Sequence, residues 1–141
     1  MIYCDTSLLV ACLTAEAQTA QVQRWLGAQV PGMLCVSGWT IAEFSSALAI
    51  KLRAGELSAE QRADVMTHWR HMLSANLVTI PVPHAAYDLA ARLADRHELK
   101  IRAGDALHLA IVSLAGLPLA TLDRVMADAA VAVGVALREV G

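Results

Sequence analysis

The stretch Gly104-Asp105-Ala106-Leu107-His108-Leu109-Ala110-Ile111-Val112-Ser113-Leu114-Ala115-Gly116-Leu117-Pro118-Leu119-Ala120-Thr121-Leu122-Asp123 decides the fold. Leu107, Ala110, Ile111 and Leu114 recur at the i, i+3, i+4, i+7 spacing of a helix face, opening at Gly104-Asp105. Gly116-Leu117-Pro118 stops that helix. Leu119-Ala120-Thr121 then reads as a short buried strand, with Asp123 just past its end. A helix that feeds directly into a buried strand, with a carboxylate at the start of the first and past the end of the second, is the grammar of a parallel α/β sheet.

Working towards the N-terminus, the alternation repeats. Met1 to Cys4 reads as a buried strand closed by Asp5, and Thr6 or Ser7 can cap the helix Leu8 to Leu13. A second helical pattern runs from about Glu16 to Ala28 and is broken at Val30-Pro31-Gly32. Met33 to Ser37 is a second strand. The next helix spans about Ile41 to Arg53, with Ile41, Phe44, Leu48 and Leu52 as its apolar stripe and Gly55 as its stop. Ser58 to Gln61 is a capping box that opens a helix reaching about Ser74. Leu77 to Ile80 is a third strand, ended by Pro81 and Pro83, and a helix follows over about Ala85 to His97. Beyond Asp123 a helix runs to Ala130, and Gly134 to Leu137 is the candidate fifth strand. The expectation is one α/β domain over residues 1–141, with a central, mostly parallel sheet of four to five strands flanked by helices. Right-handed crossovers would place its ligand site outside the carboxyl ends of the strands.

Composition fits this. Apolar residues make up 57% of the 141 and aromatics 4%, so the core is aliphatic and alanine-rich. No apolar run is long enough to span a bilayer, and the early Asp5 interrupts anything resembling a leader peptide; a cytoplasmic protein with no membrane role is expected. Cys4, Cys12 and Cys35 form no CxxC pair and lie in apolar runs, so they read as buried small hydrophobes rather than zinc ligands. A net charge of −2 argues against a sequence-reading DNA-binding module, while leaving room for an RNA substrate met by a local basic rim.

Asp5, Glu43, Asp105 and Asp123 each stand beside an apolar run that needs no charge, and the topology puts all of them at the same sheet edge. Each has a bland reading as well. Asp5 and Asp123 can be helix caps, Thr40-Ile41-Ala42-Glu43 fits a capping box, and Asp105 can serve the positive end of its helix. Even so, caps gathered on one side of one sheet would still build an acidic pocket. Such a pocket persists through shared protons or a divalent cation, and an all-oxygen donor set suits Mg²⁺ or Mn²⁺. The chemistry this points to is metal-assisted phosphodiester hydrolysis.

Four segments carry a resemblance: Ile2-Tyr3-Cys4-Asp5-Thr6-Ser7; Thr40-Ile41-Ala42-Glu43; Leu99-Lys100-Ile101-Arg102-Ala103-Gly104-Asp105-Ala106-Leu107-His108-Leu109-Ala110; and Ala120-Thr121-Leu122-Asp123. In this order and spacing the chain resembles the PIN-domain ribonucleases, and among them the VapC-type toxins of bacterial toxin–antitoxin pairs. The resemblance implies that Asp5, Glu43, Asp105 and Asp123 form the acidic quartet that binds Mg²⁺ or Mn²⁺. It makes Thr6 and Thr121 polar neighbours of that centre and Asp128 a candidate outer carboxylate, although a solvent-facing Asp128 is the simpler reading. It further implies an endoribonuclease leaving 5′-phosphate and 3′-hydroxyl ends, a homodimer, and an antitoxin partner through which alone the chain would meet DNA. Arg124 departs from the family pattern after Asp123.

Other residues stand beside this constellation. His108, one turn past Asp105, can hydrogen-bond a ligating carboxylate, but it reads first as a satisfied histidine at the core edge. Lys100 and Arg102, then Lys51 and Arg53, are the candidate RNA contacts. His68 and His71, flanking Trp69-Arg70, read as a solvated or partner face. Trp25, Trp39 and Trp69 read first as packing residues, with base stacking as their alternative. Three other functions compete with a toxin nuclease. One is an RNA-processing enzyme of the same family. Another is a Mg²⁺-dependent phosphohydrolase, disfavoured because Asp5-Thr6-Ser7 lacks a second Asp. The third is a non-catalytic interaction module.

Overall fold

Strand β1 (Ile2–Cys4) lies in the interior of the sheet, and the rest of the chain winds outward from it. The structure is a computed structural model and describes residues 1–141. After β1 come α1 (Thr6–Leu13), α2 (Thr19–Gly27), β2 (Leu34–Ser37), α3 (Gly38–Arg53), α4 (Ala59–Ala75) and β3 (Leu77–Ile80). They are followed by α5 (His84–Asp95), a 3-10 turn (His97–Leu99), α6 (Ala103–Ala115), β4 (Leu119–Ala120) and α7 (Arg124–Ala132).

The sheet order is β3-β2-β1-β4, and every pairing is parallel. From β1 the chain steps through β2 to β3 on one side, then returns to place β4 on the other. The β1–β4 seam is therefore where the winding reverses, the place where open α/β sheets leave a crevice at their strand ends.

Alternate residues of each strand face opposite layers. Ile2, Cys4, Leu34 and Val36 join α1, α3 and α4 in one core, with Phe44, Leu48 and Trp69 at its centre. Tyr3, Cys35 and Leu119 join α5, α6 and α7 in the other. Strands β1, β2 and β4 are buried on both faces, which explains why they read as apolar runs without polar alternation, while edge strand β3 exposes Val78 and Thr79.

Several boundaries differ from the sequence reading. The cap of α1 is Asp5, whose side chain accepts from Leu8 N, and not Thr6 or Ser7, which lie inside the helix. Helix α3 begins at Gly38, and its capping box is Ser37 with Thr40; Glu43 therefore sits in the second turn and has no capping duty. Helix α5 stops at Asp95, and His97 belongs to the 3-10 turn that follows. Gly134 to Leu137 does not form a fifth strand; its only ladder contact is an isolated parallel bridge between Leu119 and Leu137, so the sheet has four strands. No helix is long and apolar enough to cross a membrane.

Candidate active site

The crevice is built by the strand ends. Tyr3 pairs with Leu119 and Cys4 with Ala120, so the next residues, Asp5 and Thr121, emerge side by side. Thr121 Oγ1 donates to Asp5 Oδ2 at 2.5 Å, and Ser7 Oγ donates to Asp5 Oδ1 at 2.7 Å. Ser7 Oγ in turn accepts from Leu122 N at 3.0 Å, and Thr121 Oγ1 accepts from Asp123 N at 3.0 Å. These four bonds tie the start of α1 to the turn after β4. Asp123 Oδ1 then accepts from Met126 N at 3.0 Å and caps α7.

Glu43 reaches the same crevice from α3. Its Oε2 accepts from Thr6 Oγ1 at 2.6 Å and is hydrogen-bonded to His108 Nε2. Its Oε1 lies over Gly104, where a Cβ would stand 3.0 Å away. Asp105 projects from the first turn of α6, where its Oδ2 faces Arg102 N at 3.5 Å. Asp5, Glu43, Asp105 and Asp123 all line one open cavity of about 300 Å³, with Thr6, Ser7, Ser46 and His108 among the other lining residues.

Electrostatics follow from this packing. Asp5 is only 2% exposed, and burial pushes its carboxyl above the ordinary range against the hydroxyl donors of Thr121 and Ser7. Burial also raises Asp105, aided by the charges of Asp123 and Glu43, while the Arg102 N–H opposes the shift. Glu43 goes the other way. Its burial is outweighed by the hydrogen bonds it accepts from His108 and from the Thr6 hydroxyl, which hold it below the ordinary range.

As the side chains stand, no group of three or more acidic, His or Cys residues is drawn into metal-holding geometry. Both oxygens of Asp5 accept from protein donors, and one oxygen each of Glu43, Asp105 and Asp123 is turned to a neighbour. The donor chemistry nevertheless fits a hard divalent cation. The pocket offers carboxylate and hydroxyl oxygens and no thiolate, and its raised carboxyls are those a cation would relieve. A second cavity, of about 390 Å³, lies at the opposite strand ends around Leu34 and Leu77 and has no carboxylate in its lining.

The remaining sequence candidates divide. Thr6, Thr121 and His108 bond directly to the acids. Asp128 is exposed on α7 and does not line the cavity. Lys51 Nζ is paired with Glu16 at 3.1 Å and Glu56 at 3.3 Å, joining the α1–α2 connection to the end of α3. Arg53 lies ten residues past Glu43, about 15 Å along the helix. Lys100 and Arg102 are exposed just before α6, and Lys100 adopts a left-handed backbone, φ 58°. His68 and His71 face solvent, whereas Trp69 between them is 1% exposed and stacks on Phe44 at 4.3 Å between centroids. Trp39 is half-buried and donates its indole N–H to Gly104 O at 3.1 Å.

Ser7, Ser46 and Tyr3 also belong to the site, each with a local signal in the sequence: Ser7 lies in the turn that Asp5 caps, Ser46 is three residues past Glu43 on the same helix face, and Tyr3 has the one hydroxyl in an apolar strand.

A sequence model of the PIN domain matches residues 2–132. No curated protein matches the chain at a significant level. Among solved structures, the chain is similar to VapC20 of Mycobacterium tuberculosis, described as a sarcin-ricin loop cleaving toxin. They share 18% identity over 92% of this chain and 95% of that one, with a TM-score of 0.73. FitAcB from Neisseria gonorrhoeae is 21% identical over 99% and 97%, with a TM-score of 0.72. VapBC2 from Rickettsia felis, bound to a DNA fragment from its promoter, is 14% identical over 98% of each chain, with a TM-score of 0.64. At these identities the likeness is one of fold.

Proposed function

The chain belongs to the PIN domain family, and we propose that it is a divalent-metal-dependent endoribonuclease acting in the cytoplasm as the toxin of a toxin–antitoxin pair. The observation that carries this reading is the meeting of Asp5, Glu43, Asp105 and Asp123, from four separate segments, around one cavity at the sheet's switch point. PIN domains generally use divalent metal ions, and these four carboxylates are the residues that would hold one. When bound, Mg²⁺ or Mn²⁺ supplies the positive charge that offsets the carboxylates and the scissile phosphate and makes a water a better nucleophile.

The chain's own residues do the orienting. Thr121 and Ser7 fix both oxygens of Asp5, and Thr6 and His108 fix one oxygen of Glu43. Asp105 sits in the first turn of α6 and Asp123 is the N-cap of α7, held by Met126 N. The cavity is open, as an extended RNA strand requires, and it contains no Ser–His or Cys–His nucleophile pair. Lys100 and Arg102, exposed just before Asp105, are basic candidates for the strand's phosphates.

The toxin role and an antitoxin partner are supported by the fold shared with structures described as a toxin and as a toxin–antitoxin complex, and contact with operator DNA through that partner by one described as bound to a promoter fragment; a homodimer is proposed from the family resemblance of the sequence. The test is cleavage of total RNA by purified protein in Mg²⁺, Mn²⁺ or EDTA, beside Asp5→Asn. Discrete metal-dependent products lost in the variant support the reading. Silence of folded, metal-loaded, antitoxin-free protein across defined RNA classes overturns it.

A further inference from the structure

A buried chain of side chains runs from the core to Glu43. Tyr3 is fully buried, and its hydroxyl stands 2.8 Å from Ser37 Oγ, 3.0 Å from Thr40 Oγ1 and 2.8 Å from His108 Nδ1. His108, 1% exposed, meets Glu43 Oε2 through its other nitrogen. No buried side-chain nitrogen or oxygen lacks a partner.

An ionised Glu43 carboxylate only accepts, so Nε2 of His108 carries a proton. A neutral imidazole protonated there has a bare Nδ1, which only accepts, so the hydroxyl 2.8 Å from it, that of Tyr3, is the donor. Ser37 Oγ accepts from Thr40 N at 3.4 Å, and Thr40 Oγ1 from Ser37 N at 3.3 Å; each hydroxyl keeps a proton of its own within reach of the Tyr3 oxygen, which can accept both. Burial holds the Tyr3 hydroxyl up to about 12, so it stays a donor. The capping box of α3 therefore does double duty, since the two residues that start the helix also orient the hydroxyl that orients the histidine.

Resting on the nuclease reading above, we infer that Ser37 and Thr40, Tyr3, His108 and Glu43 form a one-way hydrogen-bond relay in which Tyr3 and His108 are positioning residues for the Glu43 carboxylate. Tyr3 locks His108 as the tautomer protonated on Nε2 and fixes its ring. His108 then holds Oε2 of Glu43 and leaves Oε1 without a protein donor. Neither residue touches substrate. The relay joins β1, α3 and α6, so the carboxylate from α3 is aimed by the same strand that delivers Asp5.

Mn²⁺ affinity by calorimetry is one readout. Partners behind a metal ligand typically change affinity by about 10–100-fold. His108→Leu is expected to weaken Mn²⁺ binding at least about tenfold, and His108→Gln, which keeps a donor towards Glu43, to recover most of that loss. Tyr3→Phe is expected to weaken binding by roughly tenfold. The decisive point is the double variant. A relay in series predicts that Tyr3→Phe adds nothing once His108 is Leu. Additive losses, or Tyr3→Phe indistinguishable from wild type, overturn the relay.

The second readout needs no metal. The ¹⁵N spectrum of His108 in metal-free wild-type protein should show Nε2 protonated and Nδ1 bare and hydrogen-bonded, with the Nδ1 signal moving in Tyr3→Phe. A ring protonated on Nδ1 overturns the relay. If wild-type protein binds no Mn²⁺, the nuclease reading fails and this spectrum alone decides the relay.

Discussion

Thr121 and Asp5, 116 residues apart in the chain, are joined at 2.5 Å across the seam where the sheet reverses its winding. The bond links the end of β4 to the end of β1 and gives a buried carboxylate a hydroxyl donor.

Replacing Thr121 with Val removes that donor at nearly constant volume. The Asp5 oxygen is left short of a partner in a site that is 2% exposed, which costs about 1–3 kcal/mol. Thr121→Ser keeps the hydroxyl and loses a methyl, a smaller effect. Urea unfolding in EDTA should rank wild type above Thr121→Ser and Thr121→Ser above Thr121→Val.

The pH dependence of metal-free stability has a defined sign. Asp5 and Asp105 are raised in the folded state, so over the interval from the ordinary Asp value, about 3.9, up to their raised values the folded chain holds more protons than the unfolded chain. Their contribution to stability falls as pH rises through that interval. Glu43, held low, acts oppositely: its contribution is present above its ordinary value and is lost as pH falls. In EDTA, Asp5→Asn should flatten the fall with rising pH and be at least as stable as wild type at pH 7, because Asn still caps α1. Mg²⁺ should reverse the order. Ligand at one hundred times its Kd stabilises wild type by about 2.7 kcal/mol, and the variant should gain far less. Thermal unfolding across pH, with and without Mg²⁺, measures both effects.

At Gly104 the α6 backbone leaves little room for a side chain beside Glu43. An added Cβ would stand 3.0 Å from Glu43 Oε1 and 3.3 Å from Trp39 Cζ2. Gly104→Ala gains roughly 0.5–1 kcal/mol of helix preference, offset by this crowding, so stability should change little. The carboxylate must shift, so RNA cleavage should drop by roughly tenfold or more. Unchanged cleavage would mean that the orientation of Glu43 is irrelevant.

Trp69 provides the contrast. It stacks on Phe44 deep in the α1–α3–α4 core and does not line the acidic cavity. Trp69→Ala should cost about 3–5 kcal/mol in denaturant unfolding. The Mn²⁺ affinity of the molecules that remain folded should stay close to that of wild type.

The sequence carried the alternation of strands and helices because apolar runs and breakers are local signals. Leu77–Ile80 and the Ser58–Gln61 box appear where they were expected. Cap choice at α3 was not legible: Thr40-Ile41-Ala42-Glu43 and Ser37-Gly38-Trp39-Thr40 are both plausible starts, and packing of Ser37 beneath Tyr3 selects the second. The last segment misled because Gly134 to Leu137 has strand-like residues but meets β4 at a single bridge. Local pattern singled out the four acids, yet their company is non-local. Ser7 on Thr121 and Asp5, and Tyr3 on His108, are partnerships of the folded chain. Lys51 shows the converse, a basic residue whose role changed once Glu16 and Glu56 arrived beside it.

The most direct test of the central claim, that four carboxylates form one cation site, is a Mn²⁺ titration of Asp5→Asn, Glu43→Gln, Asp105→Asn and Asp123→Asn beside wild type and Asp128→Asn. The account predicts saturable binding to wild type, at least about tenfold weaker binding in each quartet variant, and no change in Asp128→Asn. Binding unaltered by the quartet substitutions, in variants shown to be folded, would contradict it.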